Sequence, residues 1–222
     1  MGYLLVLSFH PPDNINVARK NTPPNLFKTS YVLIYSNDLY LRKIQPMVGM
    51  IDMEHSVWTE NLLEAVTEMG EEGRVAVEFV RTHQTKIGFK QARTSIGAFW
   101  TLFGNIRLNS LYYTYETPLD DLRIRTLIIH EARHLQQGML TALSVYGELD
   151  AWQLEFGIYH RVKGKYPHTA VAELMTLPLG YDRTVLKKAA QLMQAYAGKG
   201  YRVDLLPLFP LGREIKYWAT RQ

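Results

Sequence analysis

The sequence predicts an α+β fold in which short strands belong mainly to the first half of the chain and longer helices to the second. Runs rich in β-branched and aromatic residues indicate the strands, and apolar residues spaced three and four positions apart indicate the helices. Of the 222 residues, 47% are hydrophobic and 21% are charged, which is ordinary for a globular chain. This composition supplies enough apolar surface for the buried core of one domain, residues 1–222.

The N-terminal part, residues 1–83, is predicted to supply supporting strands and a backing helix, and a prodomain-like cover of the cleft and a partner surface are the alternatives. An apolar run over residues 2–9 indicates a first strand, and a hairpin is indicated over residues 31–43. From residue 56 to residue 82 the apolar residues follow a helical period, which glycines such as Gly70 interrupt. This segment therefore forms either two helices or one broken helix.

The central part, residues 84–163, combines short strands with two long helices. Glycines separate three strand-like runs, which cover residues 85–90, 98–103 and 105–108. Thr117 as the N-cap and Pro118 as the first residue predict the start of the first long helix. That helix is expected to continue to Gln137, because Gly138 is a favourable residue just past a helix end. The second long helix is expected over residues 142–163.

The C-terminal part, residues 164–222, is predicted to contain a short helix over residues 169–175, a clear helix over residues 184–197 and an irregular tail. Residues 183–222 carry eight Lys and Arg residues against two acidic residues. A basic segment can attract phosphate, so nucleic-acid binding through this region is one interpretation. The simpler interpretation is a solvated helix face, because the chain lacks a motif for reading nucleic acid.

The absence of cysteine limits the chemistry that is open to this chain. Disulfides, thiolate metal sites and a cysteine nucleophile are excluded, so any transition metal must be held by histidine and carboxylate side chains. No apolar run approaches the roughly 20 residues that a membrane-spanning helix needs. The apolar start of the chain also lacks the basic region of a signal peptide. We therefore expect a soluble, cytoplasmic protein.

The stretch RTLIIHEARHLQQG, residues 125–138, places two histidines one helical turn apart. Each residue of a helix turns about 100°, so His134 lies about 40° from His130 and Glu131 lies about 100° from it. Two imidazoles on one edge can bind one metal ion with the carboxylate beside it, as in the H-E-x-x-H zinc motif. The apolar stripe of the same helix is expected to pack against the core and to leave this edge at a cleft.

A catalytic zinc site needs a third protein ligand and an open position for water. On the next predicted helix Glu148 and Glu155 share a face, whereas Asp150 lies on the opposite face. Glu148 follows His134 after a short connection and lies near the start of its helix, which makes it the favoured third ligand. Glu155 remains the alternative, and as a non-ligand it would be a solvent-facing or supporting carboxylate.

This pattern, residues 130–134 followed by Glu148 and Ala151, resembles the gluzincin group of zinc metallopeptidases. In the branch that includes the prenyl-protein (CAAX) proteases the third ligand opens an E-x-x-A-D run, and Trp152 stands here at the position of that aspartate. The likeness covers about residues 84–163 and fits small soluble proteins of the gluzincin type. It implies a zincin-like fold with a small mixed or antiparallel sheet, and a Zn²⁺ ion bound by His130, His134 and Glu148.

The resemblance further implies hydrolysis of a peptide or protein substrate. Zn²⁺ lowers the pKa of its water, and Glu131 accepts the water proton and passes it to the leaving amine. The oxyanion needs one further donor besides zinc. The candidates for that catalytic donor are the downstream residues Tyr159, His160, His168 and Tyr181.

Two alternatives follow from the same resemblance. Gluzincin domains present an edge strand before the active helix, and residues 104–109 occupy that place, where they either bind extended peptide or simply complete the sheet. The chain as a whole is either a peptidase or a catalytically silent zincin-fold protein, in which a structural zinc supports a binding or regulatory module. Glu131 favours the peptidase, because a structural site does not need that residue.

Overall fold

Helices dominate the part of the chain that the computed structural model describes, residues 55–198 and 200–220. The predicted first strand at residues 2–9 and the predicted hairpin at residues 31–43 lie outside the described residues. From residue 59 onward the described residues belong to one compact unit. Among the described residues, no helix combines the length and the apolar composition needed to cross a bilayer.

Two helices precede the sheet, α1 over residues 55–67 and α2 over Glu71–Thr82. Gly70 separates them with a φ of 99°, a backbone conformation that favours glycine. The helices then approach so closely that a Cβ added at Gly73 would lie 2.0 Å from the carbonyl oxygen of Val66. Of the two predicted arrangements, the structure therefore has two helices.

A small mixed sheet follows, with strands β1 (Ile87–Lys90), β2 (Ala98–Trp100) and β3 (Ile106–Asn109). The strand order is β1-β3-β2, with β1 parallel and β2 antiparallel to β3. The α+β class predicted from the sequence is therefore confirmed.

Of the two roles predicted for residues 104–109, the structure has the strand that completes the sheet and not the edge strand, because β3 lies between the other two described strands. A tight turn, in which the Thr101 N–H donates to the Asn105 carbonyl at 2.8 Å, returns β3 alongside β2. On its other side the Ile106 N–H donates to the Lys86 carbonyl at 2.9 Å, which brings β1 into the sheet. Among the described strands, β2 and β1 therefore form the edges.

Helix α3 (Leu122–Gln137) begins later than the sequence predicts. Asp121 is its N-cap and accepts a hydrogen bond from the Arg123 N–H at 2.7 Å. The predicted cap, Thr117, belongs instead to a preceding turn, where its hydroxyl accepts from the Thr114 N–H at 2.9 Å. The predicted end is confirmed, since Gly138 follows Gln137 with a φ of 73°.

A short helix, α4 (Met139–Ala142), connects α3 to α5 (Val145–Lys163). Ser144 caps α5 by accepting a hydrogen bond from the Gly147 N–H at 3.0 Å. Helix α3 packs against α2, β2 and α5, and side chains such as Ile124, Leu127 and Ile128 are fully buried. Burial of each such side chain contributes about 1.5–3 kcal/mol, so α3 is the central element of the core.

The C-terminal part contains α6 (Thr169–Leu174), α7 (Arg183–Ala197), a 3₁₀ turn (Val203–Leu205) and α8 (Leu211–Ala219). The first two helices agree with the prediction, but the prediction of an irregular tail is wrong. Proline and glycine in the tail favour irregular structure by propensity. Pro210, however, lies at the N-cap of α8, where its missing N–H removes no helical hydrogen bond.

Two glycines of α5, Gly147 and Gly157, offer a matched test of how closely α5 packs against its neighbours. A Cβ added at Gly147 would lie 2.1 Å from the backbone oxygen of Thr141, so we expect Gly147→Ala to lower the free energy of unfolding by about 1–3 kcal/mol. A Cβ added at Gly157 would only contact the Met175 side chain at 3.8 Å. Gly157→Ala should therefore be neutral or stabilising by up to about 1 kcal/mol in the same denaturant titration. Equal effects of the two substitutions would contradict the close contact.

Candidate metal centre

His130, His134 and Glu148 form a buried group in which one ligand atom from each residue lies within 4.8 Å of the others. The two histidine Nε2 atoms are 2.9 Å apart, and the His134 Nε2 lies 3.6 Å from Oε1 of Glu148. The histidines lie one turn apart on α3, and Glu148 faces them from the first turn of α5. The group can hold a metal ion.

The donor set and its charge both fit a divalent cation. Imidazole nitrogens and carboxylate oxygens bind zinc at about 2.0–2.2 Å, so donors up to about 4 Å apart can share one ion. Three glutamates are buried around the site, Glu131, Glu148 and Glu155, and no lysine or arginine among the described residues is buried with them. Because buried charges are costly unless they are paired, a bound cation would offset this negative charge.

Glu155 supports His130 from the side away from the other histidine. Its Oε2 lies 2.8 Å from the His130 Nδ1, whereas Nε2 faces His134. Burial would lower the pKa of His130, but the Glu155 charge and contact raise it to about 9. The structure therefore gathers Glu148 into the ligand group and places Glu155 behind a ligand, as the outer partners of metal-binding histidines usually are.

His134 has its own outer partner in Gln137. The His134 Nδ1 lies 3.2 Å from Oε1 of Gln137, whose Nε2 donates to the Gly147 carbonyl at 2.9 Å and to Asp150 at 2.7 Å. Arg133 in turn donates to Asp150 at 2.7 Å. Burial and the nearby His130 charge hold the pKa of His134 well below its usual range. Asp150 therefore lies outside the candidate ligand group, but it contacts Gln137, which contacts the candidate ligand His134.

Glu148 is held by a residue that the sequence analysis did not single out. The hydroxyl of Tyr201 donates to Oε2 of Glu148 and accepts a hydrogen bond from Nε1 of Trp152 at 3.0 Å. Burial raises the pKa of Glu148 to about 7, against the opposing effects of His130 and the Tyr201 hydrogen bond. A lone tyrosine in a segment without periodicity carries no sequence signal, so only the folded chain shows this contact.

Glu131 differs from the other buried glutamates. Both of its carboxylate oxygens are buried, and neither has a well-formed hydrogen bond in the described structure. Burial raises the pKa of Glu131 to about 8, although His130 and the backbone N–H of Trp100 lower it in part. A buried carboxylate without a partner beside a metal-binding group needs an explanation.

The structure does not gather the predicted catalytic residues Tyr159 and His160 into this group. Tyr159 lies one turn beyond Glu155 and about 16 Å along the axis of α5 from Glu148. The ring of His160 stacks on Tyr166 with the centroids 4.3 Å apart. Their catalytic role stays a prediction.

The other two oxyanion candidates have contacts elsewhere. His168 caps α6 by accepting a hydrogen bond from the Ala170 N–H at 3.0 Å. The ring of Tyr181 stacks on Tyr146 with the centroids 4.6 Å apart. Basic residues of the C-terminal part are also engaged in ion pairs, which join Arg183 to Glu214, Lys188 to Glu173 and Arg202 to Asp204.

Comparisons of the chain with protein-family models, with curated proteins and with solved structures give no match. The likeness to gluzincins therefore rests on the spacing of the motif residues alone. What the structure adds is the grouping of His130, His134 and Glu148, which is independent of any relative.

Substitution of Glu148 and Glu155 distinguishes a residue that binds the metal from one that only supports a metal-binding histidine. We expect Glu148→Ala to abolish stoichiometric metal binding, because a required donor is lost. Glu155→Gln should retain metal with an affinity about 10–100-fold lower, since it weakens only the partner of His130. Metal content and competition with a chromophoric chelator measure both effects.

Glu173→Gln is the matched control, because Glu173 is half exposed and pairs with Lys188 on the surface. It should bind metal as the wild type does. Full metal content in Glu148→Ala together with loss of metal in Glu155→Ala would identify Glu155, and not Glu148, as the third ligand.

Proposed function

We propose that the chain is a zinc-dependent peptidase in which His130, His134 and Glu148 hold the metal. The observation that carries this proposal is the buried carboxylate of Glu131 next to that group, neither oxygen of which makes a well-formed hydrogen bond. A structural zinc site is usually closed by four protein ligands, whereas a catalytic site has three and leaves one position open. Three candidate ligands with a free carboxylate beside them match the catalytic pattern.

The proposed chemistry assigns a separate task to each side chain. Zn²⁺ bound by these ligands would supply the Lewis acidity that polarises a carbonyl group and activates water. Glu131 accepts the proton of the attacking water and delivers it to the amine that leaves. Burial raises the pKa of the Glu131 carboxyl group to about 8, which supports a role in proton transfer near neutral pH. Burial keeps bulk water away from that proton transfer.

Among the described strands β2 is an edge strand, and its outer edge offers a place for the substrate backbone. The Thr101 N–H and the Gly97 carbonyl are bonded to β3. In an antiparallel pair the alternate residues, Ala98 and Trp100, then direct their backbone groups away from β3. The Trp100 N–H lowers the pKa of the Glu131 carboxyl group, so this edge borders the proposed catalytic base. An extended peptide that adds to β2 would place its backbone beside Glu131.

The second candidate function is a binding or regulatory module with a structural metal. The burial of the site favours it, because each residue of the metal group is at most 1% exposed. A peptidase with this site must open to admit a substrate, whereas a structural metal needs no opening. The two candidates therefore differ in whether the site must open to a substrate.

Glu131→Gln is the decisive substitution. For the peptidase we expect retained zinc and a loss of hydrolysis of about 10²–10⁴-fold, because amide cannot accept the proton. Zinc content and cleavage of a mixture of quenched fluorescent peptides measure the two properties. A tightly bound zinc with no hydrolysis by the wild type, and with unfolding after chelation, would support the structural candidate instead.

A further inference from the structure

We infer that the segment after α7 completes the metal centre through Tyr201, a positioning residue that holds Glu148 in its ligand orientation. This inference rests on the metal site of the proposed function. It concerns the affinity and geometry of that site, and it does not depend on whether the protein hydrolyses peptides. Two hydrogen bonds support this role. The Tyr201 hydroxyl donates to the Glu148 carboxylate, and Nε1 of Trp152 donates to the Tyr201 hydroxyl.

The two oxygens of Glu148 face different partners. Oε1 lies 3.6 Å from the His134 Nε2, and Oε2 lies 4.0 Å from the His130 Nε2. Oε2 accepts the hydrogen bond of the Tyr201 hydroxyl, so rotation of the carboxylate would break that bond. Tyr201 thereby limits the orientations in which Glu148 can present an oxygen to a cation. Hydrogen bonds to ligating carboxylates commonly serve this purpose.

Trp152 determines the direction of the tyrosine hydroxyl. Its Nε1 is a donor only, and it donates to the Tyr201 oxygen at 3.0 Å. A hydroxyl that accepts from tryptophan directs its single hydrogen elsewhere, and the buried acceptor beside it is Glu148. The ring of Trp152 also lies against that of Tyr201, with the centroids 5.6 Å apart. The hydrogen bonds of Trp152 and Tyr201 therefore converge on the Glu148 carboxylate.

The segment that carries Tyr201 is attached to the start of α5. The Val145 N–H donates to the Pro207 carbonyl at 2.9 Å, and the Tyr146 N–H donates to the Leu208 carbonyl at 3.2 Å. These are first-turn N–H groups, which a helix leaves without an internal partner. Tyr201 itself is fixed by its backbone N–H, which donates to the Gly198 carbonyl at 3.1 Å. The C-terminal segment thus fixes both the backbone before Glu148 and its carboxylate.

Tyr201→Phe tests the inference with the smallest change. It removes the hydroxyl and keeps the ring that packs on Trp152. We expect zinc affinity to fall about 10–100-fold in competition with a chromophoric chelator. The visible absorption of bound Co²⁺, which reports the ligand geometry, should also change. A merely structural role would lower the stability of the metal-free protein and leave both properties unchanged.

Tyr112→Phe is the matched control, because the Tyr112 hydroxyl donates to the Thr94 carbonyl and not to a site residue. This variant should bind zinc and Co²⁺ as the wild type does. Wild-type affinity and an unchanged Co²⁺ spectrum in Tyr201→Phe would overturn the role of Tyr201 and leave the metal site intact. A folded wild type that takes up no metal would overturn the proposed function and this inference with it.

Discussion

The antiparallel packing of α3 against α5 is the constraint on which the site depends. It places the two histidines of α3 opposite Glu148 and sets Glu155 against the far nitrogen of His130. At the start of α5, Gly147 lies close to the Thr141 carbonyl of α4, and its own carbonyl accepts a hydrogen bond from Gln137 of α3. Small changes in the distance between the helices would therefore separate the donors of the metal group.

Electrostatics explains why each candidate metal ligand has a polar partner on its outer side. Buried ionisable groups are costly unless each has a partner, and the candidate ligands meet this requirement through Glu155, Gln137 and Tyr201. Glu131 is the exception, since its oxygens are buried without such a partner. This difference, together with the motif spacing, is what supports the proposed role of Glu131.

Local patterns predicted a large part of this arrangement. Helical periodicity placed the two histidines on one edge, and the face of the next helix singled out Glu148 and Glu155. Tyr201 was missed because its contact with Glu148 joins residues 53 positions apart, across the whole of α7. The position of β3 was also missed, because strand order depends on pairing between segments and not on the composition of any one of them.

The sequence by itself determined which residues share a helical face, where α3 ends, and that nitrogen and carboxylate donors are available for a metal. These properties follow from backbone periodicity and side-chain chemistry, which act over a few residues. The tertiary structure brings the favoured glutamate, Glu148, to the histidines, and it alone decided which residue contacts Glu148 and which strand edge borders Glu131. Those outcomes depend on how helices and strands pack, and packing is a property of distant segments brought together by burial of the core.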